Sequence, residues 1–324
     1  MRIQEVFDLV KDDMKKVEEG FALGLNSRVS LVSKVGGHIL NSGGKRFRPL
    51  VLLLCSRLCG YKGESHIPLA GVIEFIHTAT LLHDDVVDNA HLRRGSASAN
   101  TIWGKGASIL VGDYLLSKAF YLAVMNGNER ILKVLAETTT RMAEGEVLQL
   151  LKHSDVETTE EEYLEVVTNK TAVLISAASQ TSAILGSAGH ENEAALAGYG
   201  MGLGTAYQLM DDCLDYTSTD EDLGKSVGND LREGKVTMPL IQAFKKGTRA
   251  EKDFIRRAVE ADGLPETALE EVIGIIGKHG GIGYTMDKAA SCVEDAKRHL
   301  DIFAPDVEKM ALAAVADFVV ERTS

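Results

Sequence analysis

The chain has 324 residues, of which 45% are hydrophobic and 25% charged, so it contains enough apolar material for a large folded core. Its formal net charge of −12 argues against a nucleic-acid-binding protein, which would carry a basic face. Its four cysteines show no CxxC pair and no zinc-ligand spacing. We find no signal peptide and no apolar run approaching the roughly 18 residues of a membrane span. We therefore expect a cytoplasmic protein with reduced thiols, no transmembrane segment and no nucleic-acid partner.

Helical patterns dominate the chain from end to end. Apolar residues recur at spacings of three and four, the five prolines stand where helices can begin or loops can turn, and no convincing series of alternating strands is present. The segments with helical spacing are 3–17, 29–40, 50–58, 69–82, 107–125, 131–151, 163–185, 194–214 and 307–320. No low-complexity linker divides them, so the sequence predicts one large all-α domain over residues 1–324.

One acidic pattern occurs twice, each time at the end of an apolar run: residues 84–88 read DDVVD and residues 211–215 read DDCLD. The first and last aspartates of each copy are four residues apart and stack on one helix face, where like charges repel. Carboxylates near a helix C-terminus also face the negative end of its dipole. Two such copies predict that the chain binds cations, and oxygen ligands with no histidine or cysteine in a ligand spacing favour Mg²⁺. The predicted metal ligands are Asp84, Asp88, Asp211 and Asp215.

Basic residues recur beside both acidic copies. Lys45 and Arg48 lie in a glycine-containing loop before an apolar helix, whose N-terminus can bind an anion, although the spacing is not that of a Walker A loop. An arginine pair at 93–94 follows the first copy, and Lys225 and Lys235 follow the second. Each of these residues alone would indicate solvated surface charge. Their repeated placement next to the carboxylates favours the binding of phosphate groups.

On these motifs the chain resembles the trans-polyprenyl diphosphate synthases, and among them it is most similar to the octaprenyl diphosphate synthases. The resemblance covers nearly the whole chain, and the combination of two acidic motifs with the glycine-lysine loop is highly specific. The segments that carry it are 43–49 (GGKRFRP), 74–88 (EFIHTATLLHDDVVD), 93–95 (RRG), 112–113 (GD), 144–146 (EGE), 170–171 (KT), Gln208 with 211–215, and 224–239 (GKSVGNDLREGKVTMP).

The resemblance implies a bundle of antiparallel helices around a central substrate cavity, assembled as a homodimer. It also implies a Mg²⁺-dependent prenyltransferase that joins an allylic diphosphate to successive molecules of isopentenyl diphosphate. The primer would be farnesyl diphosphate, and the product a long-chain diphosphate, octaprenyl by resemblance, for quinone side chains. Three Mg²⁺ ions would be bound together with the substrate, and the departing pyrophosphate would accept the final proton.

The same resemblance assigns roles to individual positions. The catalytic residues would be Asp84, Asp88, Asp211, Lys170 and Lys235. The residues that contact the allylic diphosphate would be Arg93, Lys170, Thr171, Gln208, Lys225 and Lys235. The residues that hold isopentenyl diphosphate would be Lys45, Arg48, His77 and Arg94. Asp85 and Asp212, which are rotated by about 100° from the preceding aspartate, would act from behind the metal ligands.

Product length is predicted from two positions before the first acidic copy. Short-chain members of the family commonly carry an aromatic residue five positions before the first aspartate, whereas this chain has Ala79, followed by Thr80. These positions lie about one helical turn, roughly 5.4 Å, behind the metal site. The small side chain of Ala79 therefore predicts an open path and a long product, with any floor deeper, among residues 107–125.

Two alternatives stay open at this point. A class I terpene cyclase also ionises an allylic diphosphate on an all-α scaffold, but it needs neither the isopentenyl site at Lys45, Arg48 and Arg94 nor a complete second acidic motif. A non-catalytic regulatory subunit would be expected to lose acidic positions, and all six are intact here. The sequence does not specify the exact product length, the preferred primer or the molecule that receives the product.

Overall fold

The computed structural model describes residues 1–41, 43–44, 46–93, 95–217, 227–261 and 263–322. Three residues predicted to bind substrate, Lys45, Arg94 and Lys225, lie outside these ranges. Within the described ranges the chain is almost entirely helical.

The helices up to the first acidic motif are α1 (Ile3–Leu9), α2 (Lys11–Gly24), α3 (Ser30–Asn41), α4 (Phe47–Leu58) and α5 (His66–Val87). A short antiparallel pair follows, β1 (Leu92–Arg93) and β2 (Ser96–Ala97), in which Leu92 is opposite Ala97. The next helices are α6 (Ala99–Trp103), α7 (Lys105–Asn126), α8 (Glu129–Leu151) and α9 (Glu160–Val167). A π-helical turn, Thr168–Ala172, leads into α10 (Val173–Leu185) and α11 (Gly189–Thr217). The C-terminal helices are α12 (Asn229–Arg232), α13 (Met238–Lys246), α14 (Arg249–Val259), α15 (Glu266–Lys278), α16 (Gly281–His299) and α17 (Val307–Glu321).

The all-α prediction is confirmed, and the helix bounds differ where local geometry decides them. The segment 163–185, predicted as one helix, is divided into α9, the π turn and α10. Helix α11 begins earlier than predicted, at Gly189, which leads into the helix with a φ of 82°. The division of 163–185 matters for the site, because π turns inside helices are frequently found at functional positions.

The centre of the bundle depends on close approach between α11 and the segment that carries the π turn. A Cβ atom added at Gly204 would lie 2.5 Å from the Cα atom of Ala172, and one at Gly200 would lie 2.6 Å from the carbonyl oxygen of Ile175. Side chains at these two positions would push the helices apart. The glycines therefore let the π turn pack directly on α11, the helix that ends in the second acidic motif.

The end of α5 is held against α7. Ser108 Oγ donates a hydrogen bond of 3.2 Å to the carbonyl oxygen of Leu82 inside the core. A Cβ atom at Gly112 would lie 2.3 Å from Nε2 of His83, and the same nitrogen is 3.3 Å from a carboxylate oxygen of Asp113. These contacts fix the last turns of α5 and, with them, the first acidic motif.

Helix α7 differs from the other helices in how much apolar surface it leaves exposed. The sequence predicted no membrane-spanning segment, yet among the described residues α7 is long and apolar enough to cross a membrane by length and composition, with 33% of its most apolar stretch buried. A core helix of a soluble protein can pass the same test. Its contacts with α5 place one face of α7 on the core, and the opposite face is uncovered in the single chain.

Candidate active site

A cavity of about 460 Å³ opens where the ends of α5 and α11 meet the π turn and the loop after α12. Its polar lining includes Asp88, Glu146, Lys170, Gln208, Asp212 and Lys235. The helix order thus brings together Asp88 and Lys235, which are 147 positions apart in the chain. Several of these side chains are the ones that the acidic and basic motifs single out.

The first acidic motif faces two lysines from other elements. Helix α5 ends at Val87, and Asp88 forms its C-cap. The last carboxylate of the motif therefore lies at the helix end, in the cavity wall. Lys235 Nζ is 2.7 Å from a carboxylate oxygen of Asp88. Lys170 Nζ, on the π turn, is 3.8 Å from a carboxylate oxygen of Asp84. The motif is therefore flanked by two ammonium groups that can also reach an anion in the cavity.

Each of these lysines is also bound by a glutamate. Lys170 Nζ is 2.5 Å from a carboxylate oxygen of Glu146 on α8, and Lys235 Nζ is 2.7 Å from one of Glu233 in the loop after α12. Burial disfavours the charged form of Lys235, but the carboxylates of Asp88, Asp230 and Glu233 outweigh it and raise the pKa of this ammonium. Lys235 therefore stays protonated at neutral pH.

The electrostatics at Asp84 favour the arrival of further positive charge. Burial raises the pKa of the Asp84 carboxyl to about 6, with Glu146 and Asp88 adding to the rise and Lys170 opposing it. A carboxyl with a raised pKa is one whose negative charge is incompletely compensated by its surroundings. A cation bound nearby would supply that compensation.

Asp85 and Arg93 form a pair behind the cavity. Arg93 donates from Nε at 2.7 Å and from Nη2 at 2.6 Å to the same oxygen of Asp85, a residue that is 2% exposed. Burial raises the pKa of the Asp85 carboxyl even though Arg93 lowers it. The structure thus places Arg93, predicted to contact the allylic diphosphate, on a carboxylate of the first motif.

In the second acidic motif the middle aspartate faces the cavity. Asp212 is 2% exposed and accepts hydrogen bonds from the Tyr163 hydroxyl and from Gln208 Nε2, the latter at 2.8 Å. Gln208 in turn accepts a hydrogen bond of 3.0 Å from Thr171 Oγ1 on the π turn. Burial and the nearby Asp230 raise the pKa of the Asp212 carboxyl. Thr171 and Gln208, both predicted to bind substrate, are thus tied to one another at the cavity wall.

The other two aspartates of this motif lie elsewhere. Asp211 is 2.7 Å from Nη2 of Arg322, whose guanidinium also stacks 3.9 Å above the ring of Tyr207. Asp215 is fully buried and accepts a hydrogen bond of 3.1 Å from the backbone N–H of Asp230. Both residues were predicted as metal ligands. Neither Asp211 nor Asp215 is among the described residues that line the cavity.

The predicted isopentenyl site is described only in part. Arg48, in the first turn of α4, lies close enough to Glu74, Tyr207 and Asp211 to interact with their charges, and burial lowers the pKa of its guanidinium. His77 lies on α5 and is partly buried. Arg48 therefore shares the surroundings of Tyr207 and Asp211 with Arg322, a residue that the sequence motifs did not single out because it stands alone after the last helix.

The two predicted length-determining residues are set back from the cavity. Ala79 is 1% exposed, and Thr80 turns its hydroxyl onto the carbonyl oxygen of His77 at 2.8 Å. Neither Ala79 nor Thr80 is among the described residues that line the cavity. A tail that ran past them would have to follow the buried side of α5.

The carboxylate oxygens of the first acidic motif suit a hard cation that is bound jointly by the protein and the substrate. In the described part of the chain, no three histidine, cysteine, aspartate or glutamate side chains converge closely enough to hold a metal ion by themselves. The carboxylate oxygens of Asp84 and Asp88, one helical turn apart, are nevertheless the ligands that Mg²⁺ takes together with substrate phosphates. The geometry is thus compatible with an ion bound between this motif and a diphosphate.

Comparison with known proteins places this arrangement in context. The family model for polyprenyl synthetase matches residues 29–276. The octaprenyl diphosphate synthases of Haemophilus influenzae and Escherichia coli K12 are each 42% identical to the chain over 322 residues, covering 99% of it and 98% and 99% of their own lengths. The crystal structure of a polyprenyl synthase from Caulobacter crescentus CB15, complexed with calcium and isoprenyl diphosphate, superposes with a TM-score of 0.97 at 39% identity and covers 99% of this chain and 98% of its own.

Proposed function

The chain belongs to the polyprenyl synthetase family and is a trans-polyprenyl diphosphate synthase, and from this premise we propose that it extends farnesyl diphosphate with successive isopentenyl diphosphates to octaprenyl diphosphate. The observation that carries the proposal is that Asp88, Lys170 and Lys235 line one cavity, and that Lys170 also lies 3.8 Å from Asp84, the first aspartate of the motif. The 42% identity to octaprenyl diphosphate synthases favours a synthase over the terpene cyclase, and together with the six intact aspartates it favours a synthase over the regulatory subunit. Cytoplasmic location and a role in supplying quinone side chains stay predictions.

The reaction needs the allylic carbon–oxygen bond to break, with negative charge developing on the leaving diphosphate. Proteins of this family are metal-dependent, and we propose Mg²⁺, three ions in the substrate complex, as the ion that neutralises this charge. Asp84 and Asp88 would hold it, and Asp211 and Asp215 are proposed to contribute from the second motif. Lys170 would add positive charge to the same leaving group.

Polar side chains at the cavity wall orient the substrate. Thr171 and Gln208, which are hydrogen bonded to each other at 3.0 Å, can exchange that bond for contacts to a diphosphate oxygen. Lys235, which stays protonated, would bind the same group from the opposite side of the motif. Arg48 and His77 are proposed to hold isopentenyl diphosphate, together with Lys45 and Arg94. The departing pyrophosphate is proposed to take the final proton.

We further propose a homodimer in which a second copy covers the exposed apolar face of α7. Leu110, Tyr121, Val124 and Met125 share that face and are 57–69% exposed. Apolar patches of this kind mark protein–protein interfaces, and a two-fold dimer would pair the face with itself. Light scattering at micromolar concentration should give the dimer mass, and Leu110→Glu should shift it towards the monomer. A wild-type monomer would contradict this proposal.

Product analysis tests the proposed reaction. The purified protein is incubated with farnesyl diphosphate, excess labelled isopentenyl diphosphate and Mg²⁺, and the dephosphorylated product is sized against prenol standards. We expect octaprenol as the main product. Extension that stops at geranylgeraniol would contradict the proposed length, and a lack of any extension would contradict the proposed reaction.

A further inference from the structure

Two ion-pair chains of the same composition converge on the first acidic motif. In each, a lysine lies between one aspartate of the motif and one glutamate from another element: Lys170 lies 3.8 Å from Asp84 and 2.5 Å from Glu146. In the second chain, Lys235 lies 2.7 Å from Asp88 and 2.7 Å from Glu233. Glu146 and Glu233 have received no role in the reaction so far.

We propose that Glu146 and Glu233 are positioning residues, which keep the two lysines aimed into the cavity while the aspartates bind the metal; this inference rests on the proposed function. A carboxylate that is paired with a lysine binds a cation less strongly, because the two positive groups compete for the same oxygens. This holds for Asp84 and for Asp88. When they turn to the cation, Lys170 and Lys235 each lose the aspartate as an ion-pair partner, while the carboxylate of Asp230 stays near Lys235. The glutamate then remains as the group that fixes the ammonium.

Helix α8 is built to hold Glu146 against the π turn. A Cβ atom at Gly145 would lie 2.7 Å from the backbone nitrogen of Lys170, so only glycine lets α8 come this close. One turn earlier, Arg141 donates two hydrogen bonds of 3.0 and 2.9 Å from Nε and Nη2 to the side-chain oxygen of Asn169. Helix α8 therefore contacts the π turn at Asn169 and at the backbone of Lys170, immediately beside the Glu146–Lys170 pair.

Glu233 is held just as firmly. One of its carboxylate oxygens accepts a hydrogen bond of 2.7 Å from Asn229 Nδ2, which leaves the other oxygen for Lys235. Gly234 between them has a φ of 67°, and its carbonyl oxygen accepts a hydrogen bond of 2.8 Å from the backbone of Ser154. The carboxylate therefore meets Lys235 from a turn whose backbone is itself anchored.

A lysine without such a partner would behave differently. Its ammonium sits on a flexible four-carbon stem and has no fixed direction of its own. If Glu146 were a neutral amide, Lys170 would keep Asp84 as its only charged partner among these groups and would close on it. The lysine would then compete with the cation for that carboxylate and would point away from the diphosphate. The same reasoning applies to Glu233, Lys235 and Asp88.

The test compares Glu146→Gln and Glu233→Gln with Glu144→Gln, a matched change on the exposed side of the same helix. We expect each of the first two variants to lower kcat by roughly 10- to 100-fold, the cost of misplacing one reacting group, and Glu144→Gln to stay within about twofold of wild type. We also expect the Mg²⁺ concentration that half-saturates binding of inorganic pyrophosphate, measured by calorimetry, to rise several-fold in the two variants only.

Double variants separate positioning from other roles. In a Lys170→Met background, Glu146→Gln should change pyrophosphate binding and residual rate by less than about twofold, whereas in a Lys235→Met background it should keep its full effect. An effect of Glu146→Gln that persists without Lys170 would mean that the glutamate acts directly on the metal or the substrate and would overturn the proposal. Wild-type values in both glutamine variants would overturn it as well. Because pyrophosphate binding is measured without turnover, an inactive wild type would refute the proposed function and leave this test in place.

Discussion

Lys235 is the single side chain whose removal has the most specific expected consequence. Its ammonium lies 2.7 Å from carboxylate oxygens of both Asp88 and Glu233. In Lys235→Ala these two carboxylates keep their positions but lose the cation between them, together with whatever contact the lysine makes to the diphosphate. Stability and catalysis should therefore respond differently to added Mg²⁺.

The magnitude follows from the burial of the pair. Leaving a buried charge without its partner costs about 3–5 kcal/mol, and because the side chains of Lys235 and Asp88 are 21% and 19% exposed, solvent screening reduces the expected loss to about 1–3 kcal/mol. For a chain of this size the loss corresponds to a fall in Tm of roughly 1–5 °C without metal. Mg²⁺ at about 100 times its Kd stabilises the folded state by about 2.7 kcal/mol. Since the ion replaces the missing charge, it should raise the Tm of the variant more than that of wild type.

The assay combines thermal unfolding with and without Mg²⁺ and steady-state kinetics, with Lys246→Ala, an exposed lysine at the end of α13, as the control. We expect Mg²⁺ to recover the stability of Lys235→Ala but not its activity, which should stay at least ~10²-fold below wild type because one electrostatic stabiliser of the leaving group is gone. Equal losses of Tm with and without Mg²⁺, or recovery of kcat at high Mg²⁺, would refute the reasoning.

Further substitutions test the other parts of the site. Asp84→Ala and Asp211→Ala should each cost at least ~10²-fold in rate, since both motifs are proposed to hold metal against one leaving group, and near-normal turnover of Asp211→Ala at saturating Mg²⁺ would contradict the two-motif mechanism. Arg48→Ala should mainly raise the KM for isopentenyl diphosphate, and an equal rise for the allylic substrate would argue against separate sites. Ala79→Tyr should shorten the product, because it fills the buried side of α5. If wild type and Ala79→Tyr give the same long product under excess isopentenyl diphosphate, the tail does not pass this residue.

The helical framework could be predicted from the sequence because apolar spacing is a local property. The run before Asp84 predicted a buried helix that ends at the acidic motif, and α5 ends at Val87 with Asp88 as its cap. The division of 163–185 by a π turn could not be read from spacing. The π turn lies where α8 at Gly145 and α11 at Gly204 approach the chain closely, and only the packed structure reveals these contacts.

The orientation of individual carboxylates was also beyond the sequence. Spacing predicts that Asp211 and Asp215 share a helix face, but which face meets the cavity depends on how α11 packs against α9 and the π turn. The structure turns Asp212 towards the cavity, with Tyr163 as its partner, and leaves Asp211 to Arg322. Arg322 belongs to none of the sequence motifs, so no sequence pattern could have identified it. Glu146 did have a signal, as part of the EGE segment at 144–146, but the segment alone does not reveal its lysine partner.

The central claim is that the first acidic motif drives a metal-dependent ionisation of an allylic diphosphate. Its most direct test is the incorporation of labelled isopentenyl diphosphate into an apolar product by wild type, Asp84→Ala and Asp88→Ala, each with Mg²⁺ and with EDTA. We predict extension by wild type with Mg²⁺, none with EDTA, and at least ~10²-fold slower extension by both variants. Extension in EDTA, or undiminished rates in the variants, would contradict the claim.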